Sequence, residues 1–369
     1  MDQPAPIIAT MELGATLPKR PASFAAYRST LTIAFLLLIA AITVGFMLDD
    51  YQVGNLSYFL VWTFMALGLC LMWGYAGILS FGQTAFFGLA GYSYAVFTTN
   101  FGTSASSTLA GLLVALAMAA TFAGIIGYFM FYGGVAGVFV SIITLATTLI
   151  FETFLAQTAG PEWTIGTARL NGFNGMSGMP PLALPWIGQN LVLDGRNFYF
   201  ALLALVAATY FGLRVLVSSR FGQAIVAIRE NANRAEMLGF NVRFYQLAAF
   251  MIGSTLAGLS GVFYVTWGQY ITPDSMSLYA AALPIVWVTV GGRQNLTATL
   301  IGTLGVLYIS QTLAIHGDQY ALVLLGAVLL GAVMLSPQGL VVAVENWLIT
   351  LWLRCTQLRR STAARRSAE

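Results

Sequence analysis

The sequence predicts an all-α polytopic membrane protein of about ten transmembrane helices, some broken by glycine, with one helix in water between two hydrophobic halves. Three observations carry this. Hydrophobic residues make up 58% of the 369 and charged residues only 8%, with a mean hydropathy of +0.80, far beyond a soluble domain. Apolar runs recur along the chain at membrane-spanning length. The one long polar stretch, Arg220 to Arg243, carries Arg220, Arg229, Glu230, Arg234, Glu236 and Arg243. Burying those charges at a bilayer centre would cost about 15–20 kcal/mol, so the stretch lies in water.

Taken in order, residues 1–30 form a tail with Pro4, Pro6, Pro18 and Pro21, and with Lys19, Arg20 and Arg28 ahead of the first apolar run. No small-residue cleavage site follows, so Leu31–Leu48 reads as a retained first span, ended by Asp49 and Asp50. Leu56–Trp73 is the second. The chain then enters GYAGILSFGQTAFFGLAGYSYAVF, Gly74 to Phe97, whose glycines each weaken a helix by about 1 kcal/mol relative to alanine. Ser80, Thr84 and Gly88 form a small-residue stripe on whatever helix forms, so a broken or closely packed crossing is expected. Thr108–Phe131 and Gly134–Gln157 are two more spans about a tight turn at Tyr132-Gly133-Gly134.

Residues 158–196, rich in Gly, Pro and Asn, read as an external loop, and Asn197–Val217 spans again. Beyond the polar stretch lie four apolar runs: Phe244–Trp267, Leu278–Val290, Leu296–Ala314 and Tyr320–Leu335. Ser336-Pro337 ends the last, and residues 336–369 form a second tail with an amphipathic VVAVENWLITLWL and a basic end. The membrane domain therefore covers 31–335.

Charge placement sets the topology. If the basic N-terminal cluster and the polar stretch are both cytoplasmic, an even number of spans must separate them, so Gly74–Phe97 has to cross. Of 16 Lys and Arg, only Arg169 and Arg196 then fall outside, and both termini lie in the cytoplasm. Cys70 sits in a span and Cys355 in the tail, which gives no disulfide.

As a helix, the polar stretch 218–243 puts Ile225, Ile228, Ala232, Ala235 and Leu238 on one narrow apolar face, pairs Glu230 with Arg234, and ends at Gly239. It reads either as a solvated loop helix or as a docking helix for a soluble partner. Catalytic and nucleotide-binding motifs are absent: there is no GxxxxGK[ST] loop, no HExxH, and no cluster of metal-ligating residues; His316 and Asp318 read as turn residues. Asp274 reads as an external turn residue and Arg214 as snorkelling to the inner surface. Glu152 is the one acidic residue within a span, near its outer end, where it either lines a path or snorkels.

GYAGILSFGQTAFFGLAGY, GVFVSIITLATTLI, NGFNGMSG, the whole stretch from Ser219 to Phe250, and LSPQGL together resemble permeases of branched-chain amino acid ABC importers. The resemblance runs from about Leu56 to Val344. Ser141-Ile142-Ile143-Thr144 and VWVTVGGRQNL, Val286 to Leu296, are most similar to the branch carrying urea and short amides. Departures from the family pattern are Gln83-Thr84 where a His-Gly pair is common, Gln294-Asn295 for Gly-Thr, and Ala298-Thr299 for Gly-Pro.

The resemblance implies a non-enzymatic import subunit in a bacterial or archaeal plasma membrane, embedded in lipid, with no nucleic-acid partner. It implies a second homologous permease, two cytoplasmic ATPase subunits that carry ATP and Mg, and an external solute-binding protein. It places Arg229, Glu230, Arg234, Ala235, Glu236 and Gly239 on the helix that couples to the ATPase, and no cofactor or metal on this chain. A neutral polar solute such as urea needs hydroxyls, amides and open backbone along its path, which Ser80, Gln83, Thr84, Thr289, Gly291 and Gly292 offer, with Glu152 nearby. The alternative is that these glycines serve only close packing. Asn171, Asn174 and Ser177 are the expected contacts for the binding protein. Branched-chain amino acids are the alternative solute; an ion-coupled transporter would show more intramembrane carboxylates, and a membrane-embedded enzyme would show a nucleophile with its base.

Overall fold

The computed structural model describes residues 24–186 and 189–316, with residues 323, 326–327, 330–331 and 339–344 beyond them. The first part of the N-terminal tail, most of the expected tenth span and the basic C-terminal end lie outside the described residues.

Eleven helices are resolved among them: α1 Phe24–Met47, α2 Asp50–Leu69, α3 Gln83–Phe101, α4 Ala105–Tyr132, α5 Val138–Ala156, α6 Gly195–Ser218, α7 Arg220–Glu230, α8 Ala232–Met237, α9 Val242–Gly268, α10 Leu278–Gly291 and α11 Leu296–His316. Six stretches are long and apolar enough to cross a membrane: α2 with its continuation to Tyr75, α4, α5, α6, α9 and α11. The expected first span lies within the 24-residue α1, whose length is only partly covered by the described side chains, and the expected eighth appears as a shorter apolar helix, Leu278–Gly291. The third, α3, carries Gln83, Tyr92, Ser93, Thr98, Thr99 and Asn100, which dilute its apolar character. The count of about ten is therefore coarser here: six membrane-length helices among the described residues, in a helical polytopic fold.

The core forms around α2 and α9. In α2 78% of the most apolar window is buried within the protein and in α9 67%, against 22% in α4. Without a hydrophobic drive between helices in lipid, packing depends on small residues and interhelical hydrogen bonds. A methyl on Gly68 would lie 2.6 Å from the Gly253 carbonyl oxygen, so α2 and α9 approach at backbone distance. Ser260 Oγ donates to the Val61 carbonyl at 2.8 Å, and Trp267 Nε1 to that of Gly54 at 3.1 Å. In α4 the buried residues Gly111, Ala115, Ala119, Ala123 and Gly127 recur every fourth position, while Leu113, Val114, Met118, Ile125 and Phe129 face outward. That is one small-residue face to the protein and one large apolar face to its surroundings.

At the start of α2, Asp49 caps the helix by accepting from the Gln52 amide at 2.8 Å, and Arg196 at the start of α6 bonds to the Leu48 carbonyl and to Asp50. The loop between α5 and α6 is more ordered than its composition predicts. It holds antiparallel pairs β1 Thr164–Ile165 with β2 Ala168–Arg169, and β4 Ala183–Trp186 with β5 Gln189–Val192, while β3 Met176–Ser177 pairs with β6 Tyr270–Ile271 beyond α9. The Tyr132-Gly133-Gly134 turn ends α4 as expected, with Gly134 at φ +78° and the Val135 amide donating to the Met130 carbonyl at 2.8 Å.

Candidate functional site: the coupling loop and two glycine turns

Between α6 and α9 the polar stretch folds as two helices, not one. Asn231 interrupts it in an extended conformation (φ −161°, ψ 100°), and its side chain accepts from the Arg234 amide at 2.9 Å, starting α8. Gly239, at φ +88°, ends α8, with the Phe240 amide donating to the Ala235 carbonyl at 3.1 Å and its own amide to Glu236 at 2.9 Å. Ile225, Ile228 and Ala235 are buried as the apolar face requires. Leu238 is not. The break at Asn231 turns α8, leaving Leu238 78% and Met237 87% exposed beside Glu230, Arg234 and Glu236, which are exposed too. The expected Glu230–Arg234 pair is replaced by Arg229–Glu230, because the helix no longer runs through both residues.

Arg229 points the other way. Its side chain is 20% exposed against 68% for Glu230. Nη1 donates to the Gly74 carbonyl and Nε to Glu230 Oε1 at 3.1 Å. The aliphatic stem lies over Gly77, where φ is +75° and a methyl would sit 2.8 Å from Arg229 Cγ. Only glycine takes both that backbone and that contact without strain.

Gly74 belongs to a π-helical turn, Cys70–Tyr75, that ends α2. The chain then runs without regular structure to Gly82 before α3 begins at Gln83. Backbone of this kind within a bundle must find internal partners, and α5 supplies them. Ser141 Oγ donates to the Leu79 carbonyl at 2.9 Å, Thr144 Oγ1 accepts from the Phe81 amide at 3.2 Å, and Thr148 Oγ1 donates to the Phe81 carbonyl at 3.2 Å. Ser80, Gln83 and Thr84 are each 1% exposed. Ser80 Oγ accepts from the Gly82 amide at 3.1 Å; Gln83 Nε2 meets Met72 Sδ at 3.1 Å; Gln83 Oε1 and the Thr84 hydroxyl are buried without a hydrogen-bond partner.

The second glycine turn joins α10 to α11. Thr289 is half-buried and its hydroxyl donates to Ile285 in its own helix at 2.7 Å. Gly291 packs against α11, where a methyl would lie 2.6 Å from the Ala298 carbonyl oxygen. Asn295 caps α11 through the Thr297 and Ala298 amides at 3.0 and 3.3 Å. The Thr299 hydroxyl donates to the Gly292 carbonyl at 3.3 Å. Asn295 and Thr299, two of the departures from the family pattern, thus hold this turn in shape.

The two glycine turns meet at Gly74. Cys70 Sγ donates to the Arg293 carbonyl at 3.2 Å, Tyr75 Oη to that of Gln294 at 3.0 Å, and the Arg293 guanidinium lies 5.4 Å from the Trp73 ring centre. A methyl at Gly74 would overlap the Arg293 carbonyl. Composition and motifs gave Arg293, Cys70, Thr144 and Thr148 no part in this packing; the last two were legible as a hydroxyl stripe at helical spacing on α5.

Glu152 is half-buried on α5, which packs against a 3-10 turn, Pro273–Met276. Asn171 is half-buried in the left-handed region at φ 60°, and Asn174 and Ser177 are exposed. Between them Phe173 is 78% exposed, a surface residue that the reading for polar contacts passed over. No group of His, Cys, Asp or Glu capable of holding a metal occurs among the described residues.

The family described as branched-chain amino acid transport system, permease component, matches residues 52–333, from the first turn of α2 through both glycine turns. The chain belongs to this permease family. The chain is similar to the high-affinity branched-chain amino acid transport system permease protein LivM of Escherichia coli K12, 24% identical over 323 residues, covering 82% of this chain and 73% of that protein. A probable branched-chain amino acid transport permease protein LivM of Methanocaldococcus jannaschii is 25% identical over 330 residues, covering 78% and 92%. A probable ABC transporter permease protein, YphD of Escherichia coli K12, is 28% identical over 168 residues, covering 42% and 51%. No solved structure matches this chain. The α7–α8 loop, the hydroxyl stripe of α5 and Gly74 all lie inside the permease match, whereas α1 precedes it.

Proposed function

We propose that this chain is the transmembrane permease subunit of an ATP-driven importer for branched-chain amino acids. The observation that carries the reading is the permease-family match over residues 52–333, because it takes in the α7–α8 loop with its exposed Glu230, Arg234, Glu236, Met237 and Leu238. A short, solvent-facing patch of mixed charge and bared apolar side chains on the cytoplasmic side suits docking of an ATPase. ATP and Mg belong to that partner. A second permease, an external binding protein and a plasma-membrane location complete the assembly, with Asn171, Asn174, Ser177 and Phe173 as the surface offered to the binding protein.

Branched-chain amino acids take precedence here over urea and short amides. The urea reading rested on Ser141-Ile142-Ile143-Thr144 and VWVTVGGRQNL, and several of these residues are engaged in local structure: Ser141 and Thr144 hold the 79–81 segment, Asn295 caps α11, and the Gln294 backbone carbonyl accepts from Tyr75 Oη. The matched LivM proteins are named for branched-chain amino acids. For the path we retain Ser80, Gln83, Thr84, Thr289, Gly291 and Gly292, with Glu152 at its outer end. The buried, unpartnered Gln83 Oε1 and Thr84 hydroxyl support the first part of that set, since orphaned polar groups cost about 1–3 kcal/mol each and are kept where they serve a solute or water. Gly291 has a packing role that accounts for it without a solute.

The test is uptake of labelled leucine and labelled urea in source cells with and without this chain, urease being inhibited. Loss of leucine uptake alone is expected. Loss of urea uptake alone would restore the short-amide reading, and no change in either would remove the importer assignment.

A further inference from the structure

We propose that Arg229 is a positioning residue that fastens the coupling helix to the first glycine turn, so that movement of α7 is delivered to the irregular 74–82 segment. This rests on α7–α8 being the ATPase docking element and adds the route by which docking reaches the membrane interior. The chain's resemblance puts Arg229 among residues that face the ATPase, yet its guanidinium is turned inward. It donates to the Gly74 carbonyl, its stem covers Gly77, and Glu230 on the solvent side holds its Nε and Nη2. Glu230, not Arg229, is thus the exposed half of the pair.

The geometry on the far side makes the contact consequential. Gly74 is wedged between Arg229 and the Arg293 carbonyl, and Tyr75 Oη reaches Gln294, so the same peptide touches the coupling helix and the second glycine turn. From Gly77 onward the segment has no helical bonds of its own; Ser141, Thr144 and Thr148 of α5 hold it at Leu79 and Phe81. Besides the Ile78 amide, which donates to the Met72 carbonyl at 2.9 Å, such a segment has two sets of side-chain anchors, Arg229 at one end and the α5 hydroxyls further along. A rigid-body shift of α7 changes the distance between them, whereas a shift of α8 alone does not. Arginine suits the task because its planar fork can hold a carbonyl and a carboxylate at once, which a lysine ammonium on a flexible stem does not.

The experiment is hydrogen exchange on the complex purified with its bound ATPase subunits, with and without trapping by ATP and vanadate. In the wild type, trapping is expected to change exchange in residues 220–239 and also in residues 74–82. In Arg229→Ala the ATPase subunits remain bound and the change at 220–239 persists, but the change at 74–82 is lost. Arg229→Lys, which keeps charge and stem, is expected to reduce it and serves where the alanine variant does not assemble. A trapping-induced change at 74–82 that survives in these variants overturns the proposal. So does loss of the ATPase subunits from them, which would make Arg229 a direct ATPase contact, and so does a wild type whose 74–82 amides ignore trapping. A wild type in which 220–239 is also indifferent removes the docking reading itself.

Discussion

Gly74→Ala tests the meeting of the two glycine turns, because helix propensity and packing predict opposite signs for it. On propensity alone, alanine should stabilise a helical position by about 1 kcal/mol. Here a methyl would overlap the Arg293 carbonyl oxygen and lie 2.6 Å from its carbon, where ordinary contact begins at 3.4 Å. The neighbour is backbone, held by Cys70 Sγ and flanked by the Tyr75–Gln294 bond, so it cannot rotate away as a side chain would. Separating the turns by the well over one ångström needed to clear the carbonyl oxygen loses those two hydrogen bonds in addition to the overpacking. Overpacking costs about 1–3 kcal/mol and the two bonds about 1 kcal/mol each, against the propensity gain, for a net loss of about 2–4 kcal/mol. Gly212→Ala is the control: Gly212 lies within α6, and nothing would lie within 4 Å of the added methyl. Denaturation of the detergent-solubilised protein, read by SDS titration and by thermal midpoint, should show Gly212→Ala neutral to more stable and Gly74→Ala clearly less stable. A Gly74→Ala variant as stable as the control would refute the backbone contact on which the account of the site depends.

Three further outcomes follow from the same geometry. Thr144→Val keeps the shape of the side chain but leaves the Phe81 amide without its acceptor, and should cost about 1–3 kcal/mol in the same denaturation assay while also slowing uptake. Leu238→Asp alters a residue that is 78% exposed, so permease stability should stay within about 0.5 kcal/mol while co-purification of ATPase subunits falls. A destabilised variant would mean that Leu238 is covered by the chain itself. Asp50→Asn removes an ion pair whose Asp side chain is 84% exposed, and its effect should be below about 1 kcal/mol, since Arg196 keeps its bond to the Leu48 carbonyl. A larger loss in the denaturation assay would show that the start of α2 depends on that pair.

The helical, polytopic character of the fold was legible because lipid allows few backbone solutions and the apolar runs are long. Helix α9 runs Val242–Gly268 where the pattern gave Phe244–Trp267, and α6 Gly195–Ser218 where it gave Asn197–Val217. What the pattern could not carry is depth. Residues 74–97 were expected to hold a single broken crossing, and the π-helical turn, the irregular 76–82 segment and α3 divide that work in a way fixed by Ser141, Thr144 and Thr148 sixty residues later. No local signal in 74–97 names those partners. The polar stretch shows a similar limit: the apolar spacing found Ile225, Ile228 and Ala235, but the capping capacity of Asn231, which ends α7 and starts α8, was not weighed, and Leu238 went to the wrong face. The four-residue repeat from Gly111 to Gly127 was available in the sequence and identifies the buried face of α4.

Reconstitution tests the central claim most directly. The tagged chain is purified from its own membrane with whatever remains bound, placed in liposomes with ATP inside, and supplied outside with its binding protein and labelled leucine. The account predicts bound ATPase subunits and accumulation of leucine that requires both ATP and the binding protein. Leucine movement that is indifferent to ATP, or a chain that carries no ATPase subunit through purification, would contradict it.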